Sequence, residues 1–317
     1  MTDKQLAFKD DELIRILNRV YDLFRDGRIP EASASLEEAL KIDFDYPGVT
    51  AAMKCANFWG EKQKKLAETE DGYEKGEYLL EQWGRFTAFT ARMPDVSEKC
   101  IYSLKGWVFG AALQCYKRLY EQSSVCDAEV LLKIGRCFKG IGDYMSAIEY
   151  LEIANQQKSD MPAVLAELAD CYAQINELRA SKVFFREAFF IDPQQVDLNR
   201  IETAMIKRLA GKLKEKGLSG AELMEWLPVY GAVYGVFNVK RELRPIEFGK
   251  LKQSIFRLET ALKKDKDAAG HLVPRLIKHY FWLIDHYVAT GEEKAKIEDV
   301  LEKVKGLEPT IYREYAK

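Results

Sequence analysis

Ala128–Met161 reads AEVLLKIGRCFKGIGDYMSAIEYLEIANQQKSDM, and Pro162–Gln195, PAVLAELADCYAQINELRASKVFFREAFFIDPQQ, follows it directly. Overlaid at a shift of 34 residues, the two segments match large side chains with large and small with small. Leu131 falls on Leu165, Ile134 on Leu168, Gly135 on Ala169, Phe138 on Tyr172 and Cys137 on Cys171. The register continues with Gly142 on Asn176, Ala147 on Ser181, Leu151 on Phe185 and Ala154 on Ala188. Ungapped self-similarity at this period marks a stacked structural repeat.

Each copy reads as a helical hairpin. Leu131, Ile134, Gly135 and Phe138 lie at i, i+3, i+4 and i+7, the apolar stripe of one amphipathic helix. Asp127 precedes it as an N-cap, with Glu129 in the first turn to complement the dipole. Gly142-Asp143-Tyr144 ends that helix, and a second one presents Ala147, Leu151 and Ala154 on one face. In the following copy Asp160 is positioned to cap, Pro162 sits in the first turn, Asn176 replaces Gly142, and Asp192-Pro193 closes the second helix. The small residues Gly135, Ala147 and Ala154 let the two helix axes approach closely.

These residues resemble the tetratricopeptide repeat (TPR), whose pattern of large, large, Gly/Ala and aromatic, then Ala, large, Ala and Pro, both copies meet. Leu131 and Leu165 stand where Trp is commonest in the family, and Ser159 stands where Pro193 closes the next copy. A weaker copy lies near the start, where Gly27, Ala32, Leu36 and Ala39 keep the spacing of Gly142, Ala147, Leu151 and Ala154. The resemblance implies an all-α solenoid of helical hairpins, a right-handed superhelix in which neighbours bury one another's faces.

Outward from the repeats the helical pattern persists but the period is lost. Helices are expected over 51–66, 73–91 and 96–121, with Met93-Pro94 as a break, so residues 1–127 read as a divergent region. The regular part spans 128–216 and includes a helix over 196–216. In 217–317 an apolar helix interrupted by Pro228 comes first, then a long helix from Arg244-Pro245 to about Lys264. A last hairpin, 271–289 and 292–305, turns at Thr290-Gly291. The three regions read as one continuous solenoid.

Composition narrows the function classes. Of 317 residues, 47% are hydrophobic and 31% charged, and 48 Lys and Arg against 50 Asp and Glu leave a net charge of −2. A nucleic-acid binder usually carries a basic excess, so none is expected as a partner. The N-terminus has neither the basic stretch nor the apolar run of a signal peptide, and Trp226–Val239 is too short to span a bilayer. Cys55, Cys100, Cys115, Cys126, Cys137 and Cys171 form no CxxC pair and most sit in apolar helical stretches, as reduced thiols of a cytoplasmic protein do. No phosphate loop, dinucleotide fingerprint, HExxH or nucleophile elbow is present, and no cofactor is expected. His279 and His286 are seven apart rather than the i, i+4 of helical metal pairs, so with His271 they read as ordinary, partly exposed histidines.

In TPR proteins the first helices of successive repeats line a concave groove that takes peptide segments. The resemblance therefore places Lys133, Arg136 and Lys139, then Glu167 and Asp170, then Arg200, Lys207 and Arg208 along such a groove. Leu132 and Arg136 stand where chaperone-binding members carry Lys and Asn, which argues against that carboxylate-reading specificity. The basic residues either engage an acidic partner segment or solvate the helix face beside Glu167 and Asp170. Trp226, Tyr230, Tyr234 and Phe237 recur every three or four residues, either as core packed on the 245–264 helix or as a self-association stripe. Trp107, Phe109, Tyr116 and Tyr120 pose the same choice. The expected function is a non-enzymatic interaction scaffold; the alternative is a small-ligand or transport-associated carrier with an aromatic-lined pocket.

Overall fold

The computed structural model describes residues 3–122, 127–239, 242–265 and 269–316; Cys126 lies outside them. Among the described residues every regular element is helical. Contacts divide the chain into two compact units, residues 1–150 and 151–317.

The first unit holds α1 (Asp3–Arg25), α2 (Ile29–Ile42), α3 (Pro47–Glu68), α4 (Gly72–Thr90), α5 (Glu98–Gln122) and α6 (Ala128–Ile141). Each packs on its successor up to the α5–α6 pair, and α5 also lies against α1. Ser97 Oγ donates to Tyr21 Oη at 2.9 Å and Lys99 Nζ to Asn18 Oδ1 at 2.7 Å, both across that α1 contact. The core between α3, α4 and α5 is aromatic, with Trp59 5.5 Å from Phe86 and 5.3 Å from Trp107 between ring centroids. Phe109 and Tyr116 are buried in the same unit, so both belong to core.

α7 (Tyr144–Gln157) crosses the boundary between the units. The second unit continues with α8 (Pro162–Gln174), α9 (Leu178–Ile191), α10 (Ala204–Glu215), α11 (Gly220–Val233), α12 (Pro245–Lys264), α13 (Ala269–Thr290), α14 (Lys294–Leu307) and α15 (Pro309–Tyr315). α11 and α13 form its centre: α11 contacts α9, α10, α13 and α15, while α13 also receives α12 and α14.

The two segments that match at a shift of 34 residues close their first helices alike. At the end of α6, Gly142 N–H donates to Lys139 O at 3.0 Å and Asp143 N–H to Phe138 O at 2.9 Å. At the end of α8, Asn176 N–H donates to Ala173 O at 3.1 Å and Glu177 N–H to Tyr172 O at 2.8 Å. Both closures need a residue in the left-handed region, which Gly enters without strain and Asn tolerates better than most. Gly142 has φ 88° and Asn176 φ 66°. The aromatic pairs also correspond: Phe138 stacks on Tyr150 at 5.4 Å, and Tyr172 on Phe184 at 5.5 Å.

Two expectations are corrected. Residues 196–216 are not one helix: short 3-10 turns at Pro193–Gln195 and Leu198–Arg200 precede α10. Asp192 and Asp197 accept the backbone N–H groups of Gln194 and Asn199, each 3.1 Å away, which stabilises separate turns over continuous helix. Pro228 does not interrupt its helix either. α11 runs through it with the ring buried, so apolar burial offsets the missing N–H.

Candidate partner-binding surface

The charges expected along the groove have different surroundings. In the first unit, Lys133 donates to Glu77 Oε1 at 2.6 Å and lies 5.2 and 5.8 Å from the Tyr73 and Tyr116 ring centres. Tyr116 Oη donates to the same carboxylate, so Lys133 joins α6 to α4 and α5. Desolvation, then the Glu77 carboxylate, pushes the Tyr116 hydroxyl well above its usual range. Arg136 is half-buried and Lys139 is 5% exposed.

In the second unit, Glu167 is 2% exposed and Asp170 fully buried. Asp170 accepts Glu202 N–H at 2.8 and 3.0 Å, Thr203 N–H at 2.8 Å and the Thr203 hydroxyl at 2.5 Å. It supplies an N-terminal cap to α10 from 32 residues upstream, because no side chain at Thr203 caps that helix. The groove reading of Lys139, Glu167 and Asp170 is thereby corrected: buried side chains present no charge to a partner. Arg200 lies in a 3-10 turn and pairs with Asp197 at 3.1 Å. Lys207 and Arg208 remain exposed on α10.

The aromatic stripe also divides. Phe237 turns into the core, 5.7 Å from the Phe189 ring centre, and packs so closely on Gly231 that a Cβ there would lie 2.3 Å from its ring. Trp226, Tyr230 and Tyr234 stay at the surface of α11 and the turn after it, with centroids 5.8 and 5.6 Å apart along the row. α11 packs on α13 and α10 rather than on α12, the 245–264 helix.

Beside this row lie cations of α10 that the sequence reading had not singled out. Lys212 Nζ sits 5.3 Å from the Tyr234 ring centre and Lys216 Nζ 5.2 Å from that of Tyr230. One helix steps forward four residues while the other steps back four, as an antiparallel pair requires. The Tyr230 and Tyr234 hydroxyls hold the Lys216 ammonium above its ordinary value. Arg208, Lys212 and Lys216 recur at i, i+4 and i+8, and all three are exposed. Residues 207–216 carry five cations and one carboxylate, Glu215. Their i, i+4 recurrence was the available signal; its pairing with the tyrosines depends on how the two helices pack.

Two buried polar groupings complete the second unit. Glu225, fully buried, accepts Arg275 at 2.5 Å and Gln194 at 2.8 Å. Burial there pushes Lys278 down to about 8 and His279 down to about 4. His286 is 8% exposed rather than partly open, and its Nδ1 accepts Leu243 N–H at 3.1 Å. Elsewhere, a cavity of about 310 Å³ is bounded by Val233, Phe237, Ile284, Asp285, Leu301 and Tyr315, among others. Asp285 accepts the buried Arg186 at 2.5 Å. Among the described residues no disulfide joins the cysteines, and Cys55, Cys100, Cys137 and Cys171 are buried. Among the described residues no His, Cys, Asp and Glu gather into a metal-holding group, and no helix is long and apolar enough to cross a membrane.

No family model matches the chain, and no curated protein matches it in sequence.

Proposed function

We propose that this protein is a non-enzymatic interaction scaffold of TPR type that captures an acidic segment of a partner on the α10–α11 ledge. The observation that carries the reading is the row of exposed cations beside surface tyrosines, Lys212 with the exposed Tyr234 and Lys216 with the half-buried Tyr230. Aromatic faces offer contact area at low entropic cost, and rim cations raise association rate and selectivity more than affinity. The recurring helix closures and ring stacks of 128–195 support the repeat assignment, and the buried thiols suit a reducing, cytoplasmic setting.

The test is fluorescence anisotropy of a labelled glutamate-rich peptide against the full chain. Binding should weaken as salt rises to about 150 mM and be lost in Arg208→Glu/Lys212→Glu/Lys216→Glu. No binding at low salt, or binding indifferent to these substitutions, overturns the reading. The cavity beside Asp285 favours a second reading, carriage of a small amphipathic ligand with its apolar part on Val233, Ile284 and Leu301. Native mass spectrometry of the purified protein tests it: a stoichiometric small molecule retained by the wild type and lost on Leu301→Trp supports carriage, and its absence counts against it.

A further inference from the structure

Resting on the acidic-segment reading, we infer that the captured segment docks as an α-helix with carboxylates at i, i+4 and i+8, packed along α10 and α11. Arg208 and Lys212 on α10 and Lys216 at its C-cap are four residues apart, so their Cα atoms step by about 6.0 Å along its axis. Tyr230 on α11 and Tyr234 just after it take the same step in the opposite direction beside Lys216 and Lys212, while Arg208 carries the cationic row one step beyond Tyr234 and Trp226 the aromatic row one step beyond Lys216. A helix carrying acids every fourth residue advances by the same distance, so three carboxylates keep axial register with three cations. An extended segment places alternate side chains about 6.8 Å apart and falls out of register by about 1.6 Å over the same three contacts. Two side-by-side helices also leave a groove into which a third helix lays an apolar stripe, here against the exposed edges of Tyr230 and Tyr234.

The local charge limits the site. Glu308 and Glu314 lie near Tyr230, and Glu314 also near Lys216. These carboxylates repel an acidic chain that runs past Lys216, so the segment's third acid is its last, and its continuation is neutral or basic.

Three labelled probes of about 16 units separate the possibilities: a peptide with glutamates at i, i+4 and i+8, one of the same composition with them at i, i+2 and i+4, and a thymidine oligonucleotide. The first peptide should bind the full-length protein about tenfold tighter than the second and gain helical circular dichroism on binding. Arg208→Gln/Lys212→Gln/Lys216→Gln, which removes charge from exposed positions, should erase that preference. Equal or better binding of the alternating peptide overturns the helical inference while leaving acidic capture standing. Failure of both peptides overturns acidic capture itself, as does tighter binding of the oligonucleotide, which would make the ledge a stacking platform for bases. A preference that survives the glutamine substitutions places the contact elsewhere and overturns the inference.

Discussion

Asp170→Ala removes a carboxylate that is fully buried and accepts both backbone N–H groups leading into α10, together with the Thr203 hydroxyl. Alanine leaves no acceptor in its place. Thr203 is 7% exposed, so its N–H finds little water, whereas Glu202 is half-buried and is partly resatisfied. A stranded buried donor costs about 1–3 kcal/mol and a lost cap about 1 kcal/mol, so the loss should be about 3 kcal/mol. In a unit of this size each kcal/mol moves Tm by about 2–4 °C, so the second unit should melt about 9 °C lower. Asp170→Asn keeps one acceptor oxygen but turns an amide N–H₂ toward donors, and should fall between alanine and wild type. Thr203→Val removes only the hydroxyl bond and should cost about 1 kcal/mol. Urea titrations of the four proteins, with amide exchange over 202–207, provide the assay. A loss below about 1 kcal/mol for Asp170→Ala, with the 202–207 amides still protected, would refute the reasoning. The start of α10 would then be set by residues 198–204 alone.

Lys278 binds a proton less readily folded than unfolded, because burial lowers it from its ordinary value to about 8. Below pH 8 the folded state carries the full cost of that buried charge. Between about pH 8 and 10.5 the unfolded chain holds a proton that the folded one has released, so stability rises with pH there. Lys278→Met should therefore gain about 3 kcal/mol at pH 7, and the gain should vanish near pH 10.5; parallel chemical melts at several pH values check this. Lys133→Glu breaks the 2.6 Å pair with Glu77 and sets two carboxylates together. It should destabilise the first unit by about 1–2 kcal/mol, read by near-ultraviolet melting, without changing peptide capture on α10. Gly231→Ala drives a methyl into the Phe237 ring, which should cost about 2 kcal/mol in urea and raise Tyr234 mobility in NMR relaxation.

Local features of the chain were legible from its residues. Helix starts and stops at Asp127, Gly142, Asn176 and Arg244-Pro245 follow from interactions within one turn, and the i, i+3, i+4 stripes mark faces that must be covered. The all-α class and the hairpins over 128–195 follow from those rules, because capping and amphipathic periodicity act over a few residues. Arg208 and the Trp226–Tyr234 row were likewise visible as members of exposed or apolar faces.

Which charges are spent inside the protein was decided by tertiary structure. Asp170 resembles any solvated acid on a helix until Glu202 and Thr203 are brought against it, and Lys133 resembles a free cation until Glu77, 56 residues earlier, is placed beside it. The ledge arises in the same way: Arg208, Lys212 and Lys216 repeat along α10, but only the antiparallel packing of α11 sets Lys212 over Tyr234 and Lys216 over Tyr230. A charge's desolvation and partner depend on groups remote in sequence, whereas a helix's ends depend on groups within reach of one turn.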